Sequence, residues 1–339
     1  MEKILVTGGA GYIGSHTVVE LYNAGYEVVI IDDFSNSDPK ILTQIEKITA
    51  KRPELVQLDL CNEAAVQAFA ADHRDITGII HFAAFKAVGE SVQQPLKYYR
   101  NNLFSLVNIL NAFNHHIKLV FSSSCTVYGQ PTELPVTEAA PVQSAESPYG
   151  NTKQISEEIL RDSCAVNPLL KVITLRYFNP VGAHSSALIG ELPIGVPQNL
   201  VPFITQSAIG KRGQITVFGD DYRTPDGSAI RDYIHVVDLA KAHVAALKKL
   251  DSEMASNYEI FNIGTGKGSS VLEIIHAFEN STGQKLNYVI GPRREGDVEQ
   301  VYGDVSKAAR ELGWKAALGV DEMMRSAWKW EKYLKANPF

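Results

Sequence analysis

The sequence predicts an α/β fold: a doubly wound, mostly parallel sheet followed by a smaller, mixed α/β C-terminal domain. Three observations predict it. Short apolar runs alternate with helical patterns through the first half of the chain. A glycine-rich turn joins the first apolar run to the first helical pattern. Beyond about residue 179 this rhythm gives way to proline-punctuated chain and shorter elements.

Residues 3–7 form the first apolar run and read as a strand, and 12–23 carry a helical pattern. Strands are expected at 27–31, 55–58, 78–82, 119–122 and 172–177. Helices are expected at 41–50, 64–71, 95–115 and 149–167. Strands separated regularly by helices imply right-handed βαβ units, hence parallel pairing. Pro180, Pro193, Pro197 and Pro202 then mark irregular chain. Shorter elements are expected at 215–218, 231–247, 258–263, 271–282 and 286–290, with an amphipathic helix at 320–334. Residues 1–179 are therefore expected to form one domain and 180–339 a second. Some elements of the second are expected to return to the main sheet.

With 339 residues, 45% of them hydrophobic, the chain is long enough for two cores. A net charge of −6 and a pI near 5.9 argue against general binding of nucleic acid or acidic membranes. An anionic ligand would need a local basic site. Cys61, Cys125 and Cys164 are widely spaced, which fits a reducing compartment without a disulfide framework or zinc site. The histidines show no metal-ligand spacing, so no metal is expected. No signal-peptide layout opens the chain and no run of 18 apolar residues occurs, so a cytoplasmic location is expected.

Thr7-Gly8-Gly9-Ala10-Gly11-Tyr12-Ile13-Gly14 spaces its glycines as G-x-x-G-x-x-G between a strand and a helix. Glycine lets the backbone turn tightly and approach a pyrophosphate, and the helix N-terminus supplies unpaired N–H groups. Asp32 ends the second strand, 18 residues after Gly14. A carboxylate there accepts hydrogen bonds from an adenosine ribose and repels a 2′-phosphate, which favours NAD over NADP. The arrangement is that of a Rossmann-type dinucleotide site. A plain glycine turn with solvated carboxylates is the competing reading. Asp59, after the third strand, either approaches an adenine ring or faces solvent.

Tyr149 and Lys153, spaced i, i+4, share one helix face with Cβ atoms about 5–6 Å apart. A free phenol has a pKa of about 10, and bringing it to neutrality takes about 4 kcal/mol of differential stabilisation. A neighbouring ammonium acts in that direction. Alone, the pair is better read as a solvated helix face. A serine cluster, Ser122-Ser123-Ser124, lies about 25 residues before the tyrosine.

Glycine loop, serine cluster and Tyr-x-x-x-Lys together resemble the extended short-chain dehydrogenase/reductase family. Within it the chain is similar to the UDP-glucose (UDP-galactose) 4-epimerases. The likeness is carried by residues 6–16, by His81-Phe82-Ala83-Ala84-Phe85-Lys86 and the residues to 91, and by Phe121-Ser122-Ser123-Ser124-Cys125-Thr126-Val127-Tyr128-Gly129. Arg176-Tyr177-Phe178-Asn179-Pro180 and the residues to 184, segment 226–236 and Arg293-Arg294-Glu295-Gly296-Asp297 extend it. The resemblance implies Tyr149 as catalytic base, Lys153 lowering its pKa and holding the nicotinamide ribose, and Ser124 bonding the sugar 4-oxygen. It implies NAD contacts at Gly8, Gly11, Tyr12, Ile13, Gly14, Asp32, Asp33, Asn36, Asp59, Leu60, Phe82, Ala83, Lys86, Asn101, Ser122, Tyr149, Lys153 and Tyr177. It implies contacts to a UDP-sugar at Lys86, Ser124, Tyr149, Phe178, Asn179, Asn199, Leu200, Phe218, Arg231, Arg294, Asp297 and Val301. Residues 1–179 would then bind NAD and carry the catalytic set, and 180–339 would bind the UDP-sugar.

The implied reaction is reversible 4-epimerisation through a 4-keto sugar. Related dehydratases place an acidic pair where this chain has Cys125 and Thr126, and neither residue can act as the carboxylate that eliminates water. A decarboxylase would carry a glutamate near Thr126. These enzymes remain the alternatives, with a non-catalytic NAD-sensing protein as a further one. Arg231 and Arg294 suit a diphosphate, or else pair with Asp232 and Glu295. Val301 stands where a bulkier tyrosine can crowd the sugar 2-substituent, so N-acetylated UDP-sugars are expected to fit as well. The family implies a homodimer, and the helices at 95–115 and 149–167 could pair with their mates in it, a contact the sequence does not establish.

Overall fold

A computed structural model describes residues 1–113, 117–294 and 298–339. The first half runs β1 (Lys3–Thr7), α1 (Tyr12–Asn23), β2 (Glu27–Asp32), α2 (Lys40–Thr49), β3 (Glu54–Gln57), α3 (Glu63–Asp72), β4 (Ile76–His81), α4 (Val88–Gln93), α5 (Pro95–Ala112), β5 (Ile117–Ser124), α6 (Pro148–Val166) and β6 (Leu170–Tyr177). There follow β7 (Asn179–Val181), α7 (Leu200–Ala208), β8 (Ile215–Phe218), β9 (Ile230–His235), α8 (Val236–Lys249), β10 (Tyr258–Ile263), β11 (Gly268–Ser270), α9 (Val271–Thr282), β12 (Tyr288–Gly291), β13 (Gln300–Val301) and α10 (Val320–Ala336).

Side chains alternate across a strand, so a strand apolar at every position needs cover on both faces. In β1, Ile4 and Val6 join one core with Val18 of α1, Ile45 of α2 and Leu239 of α8. Leu5, between them, joins the other core with Val66 of α3, Ile109 of α5 and Leu160 of α6. Seven parallel strands result, in the order β10-β6-β5-β4-β1-β2-β3. The order reverses direction between β1 and β4. Crevices at such switch points, outside the carboxyl ends of the strands, are where ligands bind in open α/β sheets.

The remaining elements pack around a third core. Strand β9 pairs in parallel with β7 and β13 and antiparallel to β11, while β8 and β12 form a parallel ribbon. Ile204 of α7, Phe278 of α9 and Met323 and Met324 of α10 fill this core. Helix α8 and strand β10 belong to the large sheet despite their late place in the chain. The outer edge of β10 is capped: Lys307 Nζ donates to the Ile260 carbonyl at 2.7 Å, and the Asn262 amide donates to Glu138 at 2.8 Å. These side chains stop further strand pairing there.

Two local expectations change. The stretch 231–247, read as one element, is strand β9 followed by helix α8. His235 divides them: its backbone is extended, and its Nδ1 accepts the Val237 amide at 3.1 Å as a helix cap. The stretch read as irregular contains α7, because Pro202 falls in the first helical turn, where the missing N–H costs nothing. The expected helix 95–115 ends at Ala112, and residues 114–116, including His115 and His116, lie outside the described residues.

Candidate active site

The glycine loop is a cradle built for backbone contact. Gly8 has φ +68°, and a Cβ on it would lie 2.9 Å from the Ala83 amide nitrogen. A Cβ on Gly14 would lie 2.2 Å from the Gly8 carbonyl oxygen. Loop and helix therefore touch main chain to main chain. Gly11 is the N-cap of α1 and offers no capping side chain, and no acid occupies the first turn. The first amides of α1 are thus left for an anion. Asp32, buried at the end of β2, accepts from the Ala10 amide at 3.0 Å, the Phe34 amide at 3.0 Å and Ser37 Oγ at 2.7 Å. Burial raises its pKa, and these hydrogen bonds oppose the rise. Asp33, Asn36 and Asp59 are exposed in the turns beyond β2 and β3. Leu60 is buried, and its carbonyl accepts Asn108 Nδ2 at 2.8 Å.

The Phe82 amide donates to the Thr7 carbonyl at 3.0 Å, which sets Phe82 and Ala83 beside the loop. Ile13 packs into the core of the sheet. Tyr12 OH donates to the Gly182 carbonyl at 2.6 Å and so ties the loop to the smaller half. Lys86 Nζ stands 5.8 Å from the Tyr12 ring centroid. Asn101 Nδ2 donates to Asn102 Oδ1 at 3.1 Å. A cradle that any Cβ would fill, an uncapped helix start and a braced carboxylate fit a dinucleotide.

Ser147 caps α6, accepting the Gly150 amide at 3.1 Å, and Pro148 occupies the first helical position. That start puts Tyr149 and Lys153 on the buried face of the helix. Lys153 Nζ donates to the Ser122 carbonyl at 2.8 Å and stands 6.0 Å from the Tyr149 ring centroid. Ser122 Oγ donates to Tyr177 OH at 2.9 Å. Ser124 faces Tyr177 across the β5–β6 register, and its hydroxyl acts on the Tyr149 phenol, favouring its charged form.

In the free chain burial pushes the Tyr149 phenol well above its ordinary value; Tyr177 adds to the rise, and the Ser124 hydroxyl partly offsets it. Burial also brings the Lys153 pKa down to about 8. Desolvation disfavours whichever form is charged, and the Lys153 ammonium donates its bond to the Ser122 carbonyl. Without its ligands the chain holds Tyr149 as a neutral phenol.

Phe178, buried, packs with Val127, Tyr128, Val136 and Val301. Asn179 lies on β7 and pairs with Tyr233 of β9. Arg231 lies on β9, and its charge acts on the Cys125 thiol, which burial pushes up to about 12. Asp232 is committed elsewhere: it accepts the Thr265 amide at 2.8 Å and the Gly266 amide at 3.0 Å. Arg294 stands 5.7 Å from the Phe218 ring centroid, and both are exposed. Leu200 begins α7, and Asn199 is the residue before it. Asp297, with Glu295 and Gly296, lies outside the described residues. Sequence reasoning missed Glu191. Its Oε1 sits 3.3 Å from Lys86 Nζ and accepts Asn199 Nδ2 at 2.8 Å. A single carboxylate in proline-rich chain, 105 residues from Lys86, carries no local signal.

A dinucleotide cradle and a Ser-Tyr-Lys group on one doubly wound sheet define an extended short-chain dehydrogenase/reductase. Residues 5–327 match the family described as GDP-mannose 4,6 dehydratase. Mouse (Mus musculus) UDP-glucose 4-epimerase is 50% identical over 340 residues, which cover 98% of this chain and 97% of the relative. Among solved structures, UDP-glucose 4-epimerase from Stenotrophomonas maltophila, with bound NAD and formylated UDP-arabinopyranose, superposes with a TM-score of 0.95 at 47% identity, covering 99% of both chains. The Bifidobacterium longum UDP-glucose 4-epimerase, in complex with NAD+ and UDP, gives 0.93 at 48% identity, again over 99% of both chains. The chain belongs to the UDP-glucose 4-epimerase family.

Proposed function

We propose that this chain is an isomerase that interconverts UDP-glucose and UDP-galactose through a 4-keto sugar, with NAD as its cofactor. The observation that carries this reading is the buried Ser124–Tyr149–Lys153 group beside the glycine cradle, with Cys125 and Thr126 where an eliminating enzyme needs carboxylates. NAD supplies reversible hydride acceptance at the sugar C4 and, when oxidised, a positive charge. Tyr149 takes the 4-hydroxyl proton, and Ser124 aligns the oxygen. Because burial holds the phenol neutral in the free chain, its basicity must come from the cofactor's charge added to that of Lys153. When that added charge is spent, Tyr149 becomes the stronger acceptor and holds the proton until the sugar has turned its other face.

Residues 1–179 bind the dinucleotide and carry the catalytic group. Residues 180–339 hold the nucleotide through Asn179 at the boundary and through Asn199, Leu200, Phe218, Arg231, Arg294 and Asp297, while α8 and β10 complete the main sheet. A diphosphate on an acidic protein needs such arginines. The sugar is gripped less firmly, so that it can rotate.

Val301, buried beside Phe178, is smaller than the tyrosine that would crowd a sugar 2-substituent, and on that ground the reading extends to UDP-GlcNAc and UDP-GalNAc. A Val301→Tyr variant loses that activity and keeps UDP-galactose turnover; unchanged selectivity would sink this point. The chain works as a cytoplasmic homodimer. Val92, Leu96 and Phe104 expose apolar surface on α4 and α5, suited to a second copy, and light scattering reads the state directly. No described helix is long and apolar enough to cross a membrane. The reaction is tested by NMR of UDP-galactose incubated with protein and NAD. UDP-glucose signals should grow to a fixed ratio. A folded, NAD-binding protein that leaves UDP-galactose unchanged refutes the reading.

A further inference from the structure

Behind Ser124, Tyr149 and Lys153 lies a second polar node that the proton transfer does not use. Glu157 stands one turn beyond Lys153 on α6 and is 5% exposed. Arg176 on β6, 3% exposed, donates to it through Nε at 3.0 and 3.2 Å and through Nη2 at 2.5 Å. Ser123 Oγ on β5 donates to the same carboxylate at 2.6 Å. Three elements therefore converge on one side chain. Stability is a weak reason for such a pair, because an apolar set of similar volume often stabilises as well or better.

Its contacts point to another role. Ser123 lies between Ser122, whose carbonyl accepts Lys153 Nζ, and Ser124, whose hydroxyl acts on the Tyr149 phenol. A strand end held at Ser123 holds both of those groups in register with α6. On the other side, Arg176 is itself fixed, with its guanidinium 4.8 Å from the Tyr128 ring centroid.

We propose that Glu157, clamped by Arg176, is a positioning residue of this active site: it locks the Ser122–Ser124 strand end against α6 and sets a buried carboxylate one helical turn from Lys153. The inference rests on the proton-transfer reading above. The titratable neighbours of Lys153 support it. His81 on β4 is held neutral, its pKa brought down to about 3 by burial. Burial keeps Tyr149 on α6 protonated and neutral, and likewise the groups that act on Tyr149: Tyr177 on β6, Tyr98 on α5 and Cys125 beyond β5. The charged group that acts on Lys153 is Glu157, itself paired with Arg176, while Arg231 and Asp232 act on Cys125. Burial works against the Lys153 ammonium, and Glu157 works for it. With the carboxylate removed, Lys153 would lose the one charge that supports its ammonium against burial.

Two variants and two readouts test this. Glu157→Gln removes the charge, and Ser123→Ala removes only the link to β5. Carbon-13 NMR of labelled lysine side chains follows the Lys153 titration without any substrate. In Glu157→Gln the Lys153 midpoint should fall by about one pH unit or more. The alkaline limb of kcat should move down with it, and kcat should fall about tenfold or more with KM unchanged. Ser123→Ala should lower kcat severalfold and leave the Lys153 midpoint in place. A folded Glu157→Gln protein with an unmoved midpoint, or Ser123→Ala with full kcat, overturns the proposal and leaves a purely structural ion pair. If Glu157→Gln does not fold, Ser123→Ala decides. If the wild-type chain does not epimerise, the functional reading fails and the lysine titration still judges this one.

Discussion

At Tyr149 burial and charge pull in opposite directions, and in the free chain burial wins. A side chain 7% exposed cannot ionise cheaply beside a single cation that is itself losing charge to the same burial. Tyr149→Phe keeps the ring and removes the proton carrier. Its kcat should drop by about 10²–10⁴-fold. KM for the UDP-sugar and NAD affinity should stay close to wild type; a variant with near-normal kcat would point to a different base. The Tyr149–Lys153 spacing was legible in the sequence because i, i+4 is a local relation. The direction of the pKa shift was not, because it depends on how much chain covers the helix face. Glu191 was illegible for a related reason: its partners Lys86 and Asn199 come from the loop after β4 and the start of α7.

Elements position these residues through their ends. The start of α1 is bare where it meets the glycine loop, and the start of α6 is capped where it carries Tyr149. Gly14→Ala would push a methyl against the Gly8 carbonyl and force loop and helix apart. Overpacking of this kind costs about 1–3 kcal/mol. The variant should melt earlier and bind NAD more weakly by calorimetry, whereas unchanged NAD affinity would show that the loop does not seat the pyrophosphate. Period and turn chemistry were enough to read the long strands of the large sheet. They were not enough for β7, β11 and β13, which have two or three residues each and exist because β9 pairs with them. Helix α7 was hidden by Pro202, whose place in a first turn only the start of the helix makes clear.

Across the whole molecule, the late elements α8 and β10 close the large sheet, so neither half is complete without the other. Buried neutral histidines are spread through this body. Burial brings His16 and His81 down to about 3 and His235 and His243 down to about 4. Unfolded histidine titrates at about 6.5, so below that pH the unfolded chain binds protons that the folded chain refuses. Their contribution to stability is full above about pH 6.5 and is lost as pH falls toward 4. Thermal melts should therefore drop steadily from about pH 7 to about pH 5; a flat melting temperature would mean these imidazoles accept protons in the fold. The chemistry assigned to this molecule turns on one group whose proton affinity follows the charge beside it. The most direct measurement is the titration of Tyr149, carbon-labelled and read by NMR, with oxidised and then reduced NAD bound. A reversible proton carrier requires a lower pKa with oxidised cofactor than with reduced cofactor or none. Equal values in the two complexes would contradict it.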